Sequence, residues 1–134
     1  MAQQVFVYGS LRRGQHHHAL LAGARLRGAC RLPLGPLYDL GAYPALRPGR
    51  APVWGEVYRV DRATLRRLDR LEDHPRSYRR RRVDTPWGPA WVYLYRRPLP
   101  GRRRIRSGDW NRRRPPVQSG SSPWRRRRWR RTRD

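Results

Sequence analysis

The chain has 134 residues and a formal net charge of +24, and all 33 of its basic residues are arginine. The single cysteine, Cys30, excludes an intrachain disulfide, and no apolar run approaches the roughly 20 residues of a membrane helix. Met1-Ala2-Gln3-Gln4 lacks the features of a secretory leader, so the chain reads as a cytoplasmic domain whose arginine, with abundant Ala, Gly and Pro, reflects a GC-rich coding sequence.

The first element is a buried strand, Gln4 to Tyr8, which passes into Gly9-Ser10-Leu11. A β-branched and aromatic run that ends in Gly-Ser predicts a tight turn. Such a turn can aim several backbone N–H groups at one small anion. His16 to Ala22 predicts a short helix. Its three adjacent histidines point in different directions and have no Cys, Asp or Glu nearby, so no metal site is expected. Ala24 to Leu34 predicts a strand with Leu26, Gly28, Cys30 and Leu32 on one side, which makes Cys30 a small buried residue. The Pro- and Gly-rich stretch from Gly35 to Pro52 reads as loop.

Val53 to Val60 predicts a second strand, and within it Glu56 reads as structural. Asp61 to Glu72 is the clearest helix. Asp61 is its N-cap, and Val60 and Leu65 occupy the two positions of a hydrophobic staple. If Leu65 is set at zero, Leu68 lies at about −60° and Glu72 at about −20° around the helix. Glu72 therefore falls in the apolar stripe. A carboxyl group there is costly to ionise, and the helix C-terminus disfavours its charge further. Both effects predict a raised pKa, suited to accepting and returning a proton near neutral pH.

Tyr78 to Thr85 and Ala90 to Arg96 predict strands joined by Pro86-Trp87-Gly88-Pro89. The run Arg79 to Arg82 requires an exposed face or partners for alternate residues. From Asn111 the composition changes: residues 111–134 hold 10 arginines and one aliphatic side chain, Val117. The chain thus divides into a domain over residues 1–110 and a disordered, Arg/Trp-rich tail over 111–134. That tail offers non-specific contact with nucleic acid or with an anionic membrane surface. The elements together indicate an α+β domain, a small mixed β-barrel with flanking helices.

Several segments, taken in order, resemble the gamma-glutamylcyclotransferase-like superfamily. They are Val5-Phe6-Val7-Tyr8-Gly9-Ser10-Leu11, Gly41-Ala42-Tyr43-Pro44, Val53-Trp54-Gly55-Glu56-Val57-Tyr58, Leu68-Asp69-Arg70-Leu71-Glu72 with Tyr78-Arg79-Arg80, Trp91-Val92-Tyr93-Leu94-Tyr95, and Ile105-Arg106-Ser107-Gly108-Asp109-Trp110. The resemblance covers about residues 4–110 and is nearest to the small bacterial members and the gamma-glutamylamine cyclotransferases. It implies a barrel-like fold with a cavity at one end, and a small gamma-glutamyl substrate that cyclises to 5-oxoproline with release of an amine or amino acid. It implies that Tyr8, Gly9, Ser10 and Leu11 form the substrate-binding loop, that Glu72 is the catalytic acid/base, and that no metal or nucleotide cofactor is required. The Gly9–Leu11 amides would face either the substrate carboxylate or the developing oxyanion. Tyr43 and Tyr93 are candidates for the pocket wall, and Arg12 and Arg13 for pairing with the substrate carboxylate. Rival readings are a nucleic-acid-binding protein acting through the tail, and a non-catalytic small-ligand module.

Overall fold

A computed structural model describes residues 3–112. The expectation of a disordered tail falls, from residue 113 onward, outside the described residues. Six strands form one mixed sheet: β1 (Gln3–Val7), β2 (Arg25–Asp39), β3 (Pro44–Val60), β4 (Tyr78–Thr85), β5 (Gly88–Tyr95) and β6 (Arg103–Arg104). Their spatial order is β4-β5-β1-β3-β2-β6. Only β1 and β5 run parallel, with Val5 opposite Trp91; every other pairing is antiparallel. The sheet curls into a half-barrel carrying one α-helix, α1 (Arg62–Leu71). The expected His16–Ala22 helix is a single 3-10 turn, His18–Leu21, and a second such turn, Trp110–Arg112, ends the described residues.

Alternation along β1 supplies both cores, because successive side chains point to opposite faces. Phe6 and Tyr8 join Leu37, Leu46, Val53, Val57 and Val92 inside the curl. Val5 and Val7 join Leu65, Leu68, Tyr58 and Tyr93 beneath α1. The helix starts where the sequence places it: the Asp61 side chain accepts from the Thr64 N–H at 2.7 Å, and Val60 and Leu65 are buried in the same cluster.

The stretch Gly35–Pro52 differs from its reading as loop. β2 and β3 run on through it as one long hairpin, with Leu37 opposite Leu46 and Asp39 opposite Pro44 near its tip. Prolines and glycines persist inside these strands because the pairing is irregular there. The register shifts between Pro33 and Gly35 and again between Gly35 and Leu37, and bulges are where a strand tolerates such residues. Another shift, between Leu26 and Gly28, breaks the alternation expected of β2. Leu26 is left exposed and Cys30 only partly buried against the inner core. The arginine run lies on β4, an edge of the sheet, with Arg79, Arg81 and Arg82 exposed and Arg80 paired to Asp69 at 2.9 Å. Charge on an edge strand discourages pairing with other chains.

Candidate active site

At the C-terminal end of β1 a cleft opens between the turn that follows the strand, the tip of the β2–β3 hairpin and the end of α1. Tyr8, Gly9, Ser10, Leu11, Tyr43, Pro44, Glu72, Tyr78 and Tyr93 line it, with Phe6 and Val7 at its base. Its cavity volume is about 30 Å³, room for one or two water-sized groups, and it opens to solvent at its mouth. All five residues expected from the sequence to form the site therefore meet in one place.

Glu72 is the C-cap residue of α1 and keeps helical backbone angles, and its N–H still bonds the Leu68 carbonyl at 2.9 Å. This conformation holds the side chain on the stripe of Leu65 and Leu68. Desolvation raises its pKa to about 7. Among the described residues, no hydrogen bond or ion pair is made by its carboxyl group.

Three of the surrounding hydroxyls, those of Tyr8, Tyr78 and Tyr93, are engaged elsewhere, whereas Tyr43 is exposed at the mouth. Tyr8 donates to the Tyr93 carbonyl at 2.5 Å, Tyr78 to the Pro44 carbonyl at 2.6 Å, and Tyr93 to Asp69 Oδ1 at 2.6 Å. Burial, with the Glu72 carboxylate adding to it, pushes the pKa of all three tyrosines upward, so they stay protonated. The cleft thus presents one uncommitted carboxyl group inside a wall of neutral phenols.

Facing it is the Gly9–Leu11 turn, closed by Arg12 N–H on the Gly9 carbonyl at 2.9 Å. Among the described residues nothing accepts from the N–H groups of Gly9, Ser10 or Leu11. Gly9 is required by space: a Cβ there would stand 2.4 Å from both Cδ and Cγ of Pro44. The histidines that follow brace this turn. His17 N–H donates to the Ser10 carbonyl at 3.0 Å, and its Nδ1 lies 3.0 Å from Ser10 Oγ. His18 Nδ1 lies 3.0 Å from the Leu11 carbonyl. Burial, with His16 adding to it, lowers the His17 pKa, which favours a neutral ring at this contact.

Arg12 is not available to a substrate. It is buried and bonds Asp109 Oδ1 at 2.6 Å and Glu56 Oε2 at 3.5 Å. Glu56 also accepts from the Arg13 N–H and the Tyr58 hydroxyl, both at 2.9 Å, in keeping with a structural role. The Arg12 charge is consumed in holding the turn to β3 and to the C-terminal segment, and the exposed side chain of Arg13 does not line the cleft. Tyr43 and Tyr93 both line the cleft, as do Pro44 and Tyr78, to which sequence reasoning gave no role. Pro44 and Tyr78 both stand in segments that carry the resemblance, which was the available signal.

No helix among the described residues is long and apolar enough to cross a membrane. The family model for gamma-glutamyl cyclotransferase, AIG2-like, matches residues 5–112. A gamma-glutamylcyclotransferase family protein, YtfP, of Escherichia coli K12 is 46% identical over 107 residues, covering 80% of this chain and 95% of the relative. The solution structure of Escherichia coli ytfP superposes with a TM-score of 0.69 at 45% identity, over 81% of this chain and 96% of that one. The gamma-glutamylaminecyclotransferase of Bos taurus is 42% identical over 109 residues, 68% of this chain and 63% of the relative.

Proposed function

Because the chain belongs to the gamma-glutamyl cyclotransferase, AIG2-like family and is a cyclotransferase-type enzyme, we propose that it converts a gamma-glutamyl amine or peptide to 5-oxoproline, with Glu72 as general acid/base. The observation that carries this reading is the unpartnered Glu72 carboxyl, with its pKa near 7, on the cleft also lined by the Gly9–Leu11 turn.

The substrate α-ammonium gives a proton to Glu72. The freed amine attacks the γ-carbonyl carbon of the same molecule and forms the five-membered ring. The bond from that carbon to the leaving nitrogen breaks as Glu72 returns the proton to it, and the second proton of the ring nitrogen passes by the same carboxyl group to the released amine, which departs as an ammonium. A carboxyl group with a pKa near the working pH serves both transfers. Ring closure is already intramolecular, so the protein's main task is to hold the chain folded. The open N–H groups of the turn are suited to an anionic oxygen, either the substrate carboxylate or the oxyanion that forms during attack. Tyr43 is exposed and lines the cleft, in keeping with a role in the pocket wall. The unpaired thiol of Cys30 suits a reducing, cytoplasmic setting.

The test is a panel of gamma-glutamyl amines and dipeptides incubated with the purified protein, with 5-oxoproline measured. Release from at least one of them, abolished by Glu72→Gln, is expected. Binding of 5-oxoproline without any turnover would instead favour a non-catalytic ligand module.

A further inference from the structure

At the other end of β1 the surface is organised around arginine. Three grooves of about 470, 310 and 620 Å³ adjoin there. The first and second share Gln3, Arg82 and Trp91. Arg59 links the first to the third, and Arg62 links the second to the third. Arg25, Arg27, Arg66 and Arg67 also line this continuous channel. Among the described residues, Arg25, Arg27, Arg59, Arg62 and Arg66 make no ion pair and no side-chain hydrogen bond. The two carboxylates at its edge are engaged: Asp61 caps α1, and Asp69 holds Arg80 and Tyr93.

The arrangement opposes folding. Arg25 and Arg59 are direct cross-strand partners, a pairing in which like charges destabilise a sheet. The first turn of α1 begins with Arg62, and among its neighbours only the Asp61 cap offsets that charge at the positive end of the helix dipole. A bound polyanion would relieve both. Guanidiniums suit phosphate because their planar fork bonds it bidentately. Two of them, Arg80 and Arg82, lie 4.4 and 4.6 Å from the Trp91 ring. They present flat cationic faces on which a base can stack. The exposed large apolar side chains among the described residues, Leu26, Tyr43 and Trp54, line none of the three grooves. The channel's own tryptophans, Trp87 and Trp91, are half-buried, which leaves little apolar surface to enter a bilayer.

We propose that this arginine channel binds the phosphate backbone of single-stranded nucleic acid. The site is independent of the cyclotransferase reading: Gln3 and Tyr8 are five residues apart on an extended strand, about 16 Å, so the channel and the cleft lie at opposite ends of β1.

The experiment measures binding of a labelled twelve-nucleotide oligouridylate to the full chain across a salt series. Because residues 111–134 contribute 10 arginines of their own, the comparison is between two triple variants of equal charge, each first shown to melt like the parent. Arg27→Gln/Arg59→Gln/Arg82→Gln removes three arginines that line the first groove, two of which also line an adjoining one. Arg79→Gln/Arg81→Gln/Arg106→Gln removes arginines that line none of the three grooves. With about 0.7 units of log–log salt slope per phosphate contact on a single strand, the channel variant should lose about 2 units of slope and at least tenfold in affinity at moderate salt. The control should change less than threefold. Equal losses in both variants, or no loss in either, would overturn the proposal in favour of bulk charge. Tighter binding to duplex than to single strand, displacement by a mononucleotide at equal phosphate, or channel-dependent binding to phosphatidylserine vesicles without oligonucleotide binding would overturn it as well. If the channel triple does not fold, Arg59→Gln alone should lower the slope by about 0.7, and an unchanged slope would count against the site.

Discussion

The Tyr93 hydroxyl donates its one proton to Asp69 Oδ1 at 2.6 Å, although Tyr93 and Glu72 line the same cleft. Asp69 sits one turn ahead of Glu72 along α1 and is balanced by Arg80 at 2.9 Å. The pair keeps a nearby donor turned away from Glu72, and the Glu72 carboxyl stays unpartnered. Asp69→Ala should release that hydroxyl. A donor bonded to the ionised carboxylate favours the charged form, so the acidic limb of the rate profile should move to lower pH. Asp69→Asn keeps an acceptor for Tyr93 and should move it less. A pH–rate series on both variants, with melting curves to register the lost ion pair, checks this; an unmoved limb in Asp69→Ala would remove Asp69 from any role in setting the Glu72 proton affinity.

Glu72 itself should leave two marks. In catalysis, kcat/KM should fall below a pH near 7 as the base protonates, and Glu72→Gln should lose about 10²- to 10⁴-fold. In stability the sign follows from the shift. Burial raises the folded pKa from 4.5 to about 7, so between these values the folded state binds more protons than the unfolded one. The stability linked to Glu72 is complete below pH 4.5 and is lost as pH rises through 7. The full effect is at most about 3 kcal/mol, at 1.36 kcal/mol per pKa unit. Glu72→Gln should therefore melt above the parent at pH 8 and close to it at pH 4, as calorimetry can show. A parent that gains stability between pH 5 and 8 relative to Glu72→Gln would contradict the buried carboxyl.

What the sequence revealed was whatever rests on local spacing. Asp61, Leu65, Leu68 and Glu72 are fixed relative to one another by helix geometry alone, so the buried stripe and the raised pKa are legible in the order of residues. The β1-to-turn segment is legible for the same reason. The β2–β3 hairpin is not, because bulges beside Gly28 and Gly35 destroy the two-residue period by which strands are recognised. The engagement of Arg12 is hidden because its partners, Glu56 and Asp109, are 44 and 97 residues away, and no local pattern reports a pairing of that range. The histidine run is legible only in what it lacks: that His17 and His18 fold back on Ser10 and Leu11 depends on the turn between them.

Gly9 and Pro44 form a contact that only glycine permits. A methyl group at position 9 would lie 2.4 Å from two carbons of the proline ring. Neither side yields easily, since the Pro44 carbonyl is held by the Tyr78 hydroxyl and the turn by His17 and His18. Gly9→Ala should cost about 1–3 kcal/mol as an overpacked site and should raise KM by displacing the hairpin tip. Pro44→Ala in the same chain should recover much of the lost stability, because it removes the ring atoms concerned. Chemical denaturation of the two single variants and the double variant measures this coupling, and additive losses would show that the contact is not the cause.

Arg12 joins three parts of the chain: the turn that carries it, Glu56 on β3, and Asp109 in the segment that leads into the last 3-10 turn. All three residues are buried. Removing the cation leaves Glu56 without its counter-charge and Asp109 with only the exposed Arg112 at 3.7 Å, and breaking a buried pair from one side typically costs about 3–5 kcal/mol. Arg12→Met keeps much of the side-chain volume and should show that loss as a large drop in melting temperature. Were Arg12 a substrate ligand, the same change would raise KM sharply in a chain of nearly normal stability. The two roles separate in one set of measurements, and Arg12→Met/Glu56→Gln supplies the cross-check. A structural network should regain part of its stability when one stranded charge is neutralised, whereas a lost substrate contact would not be restored.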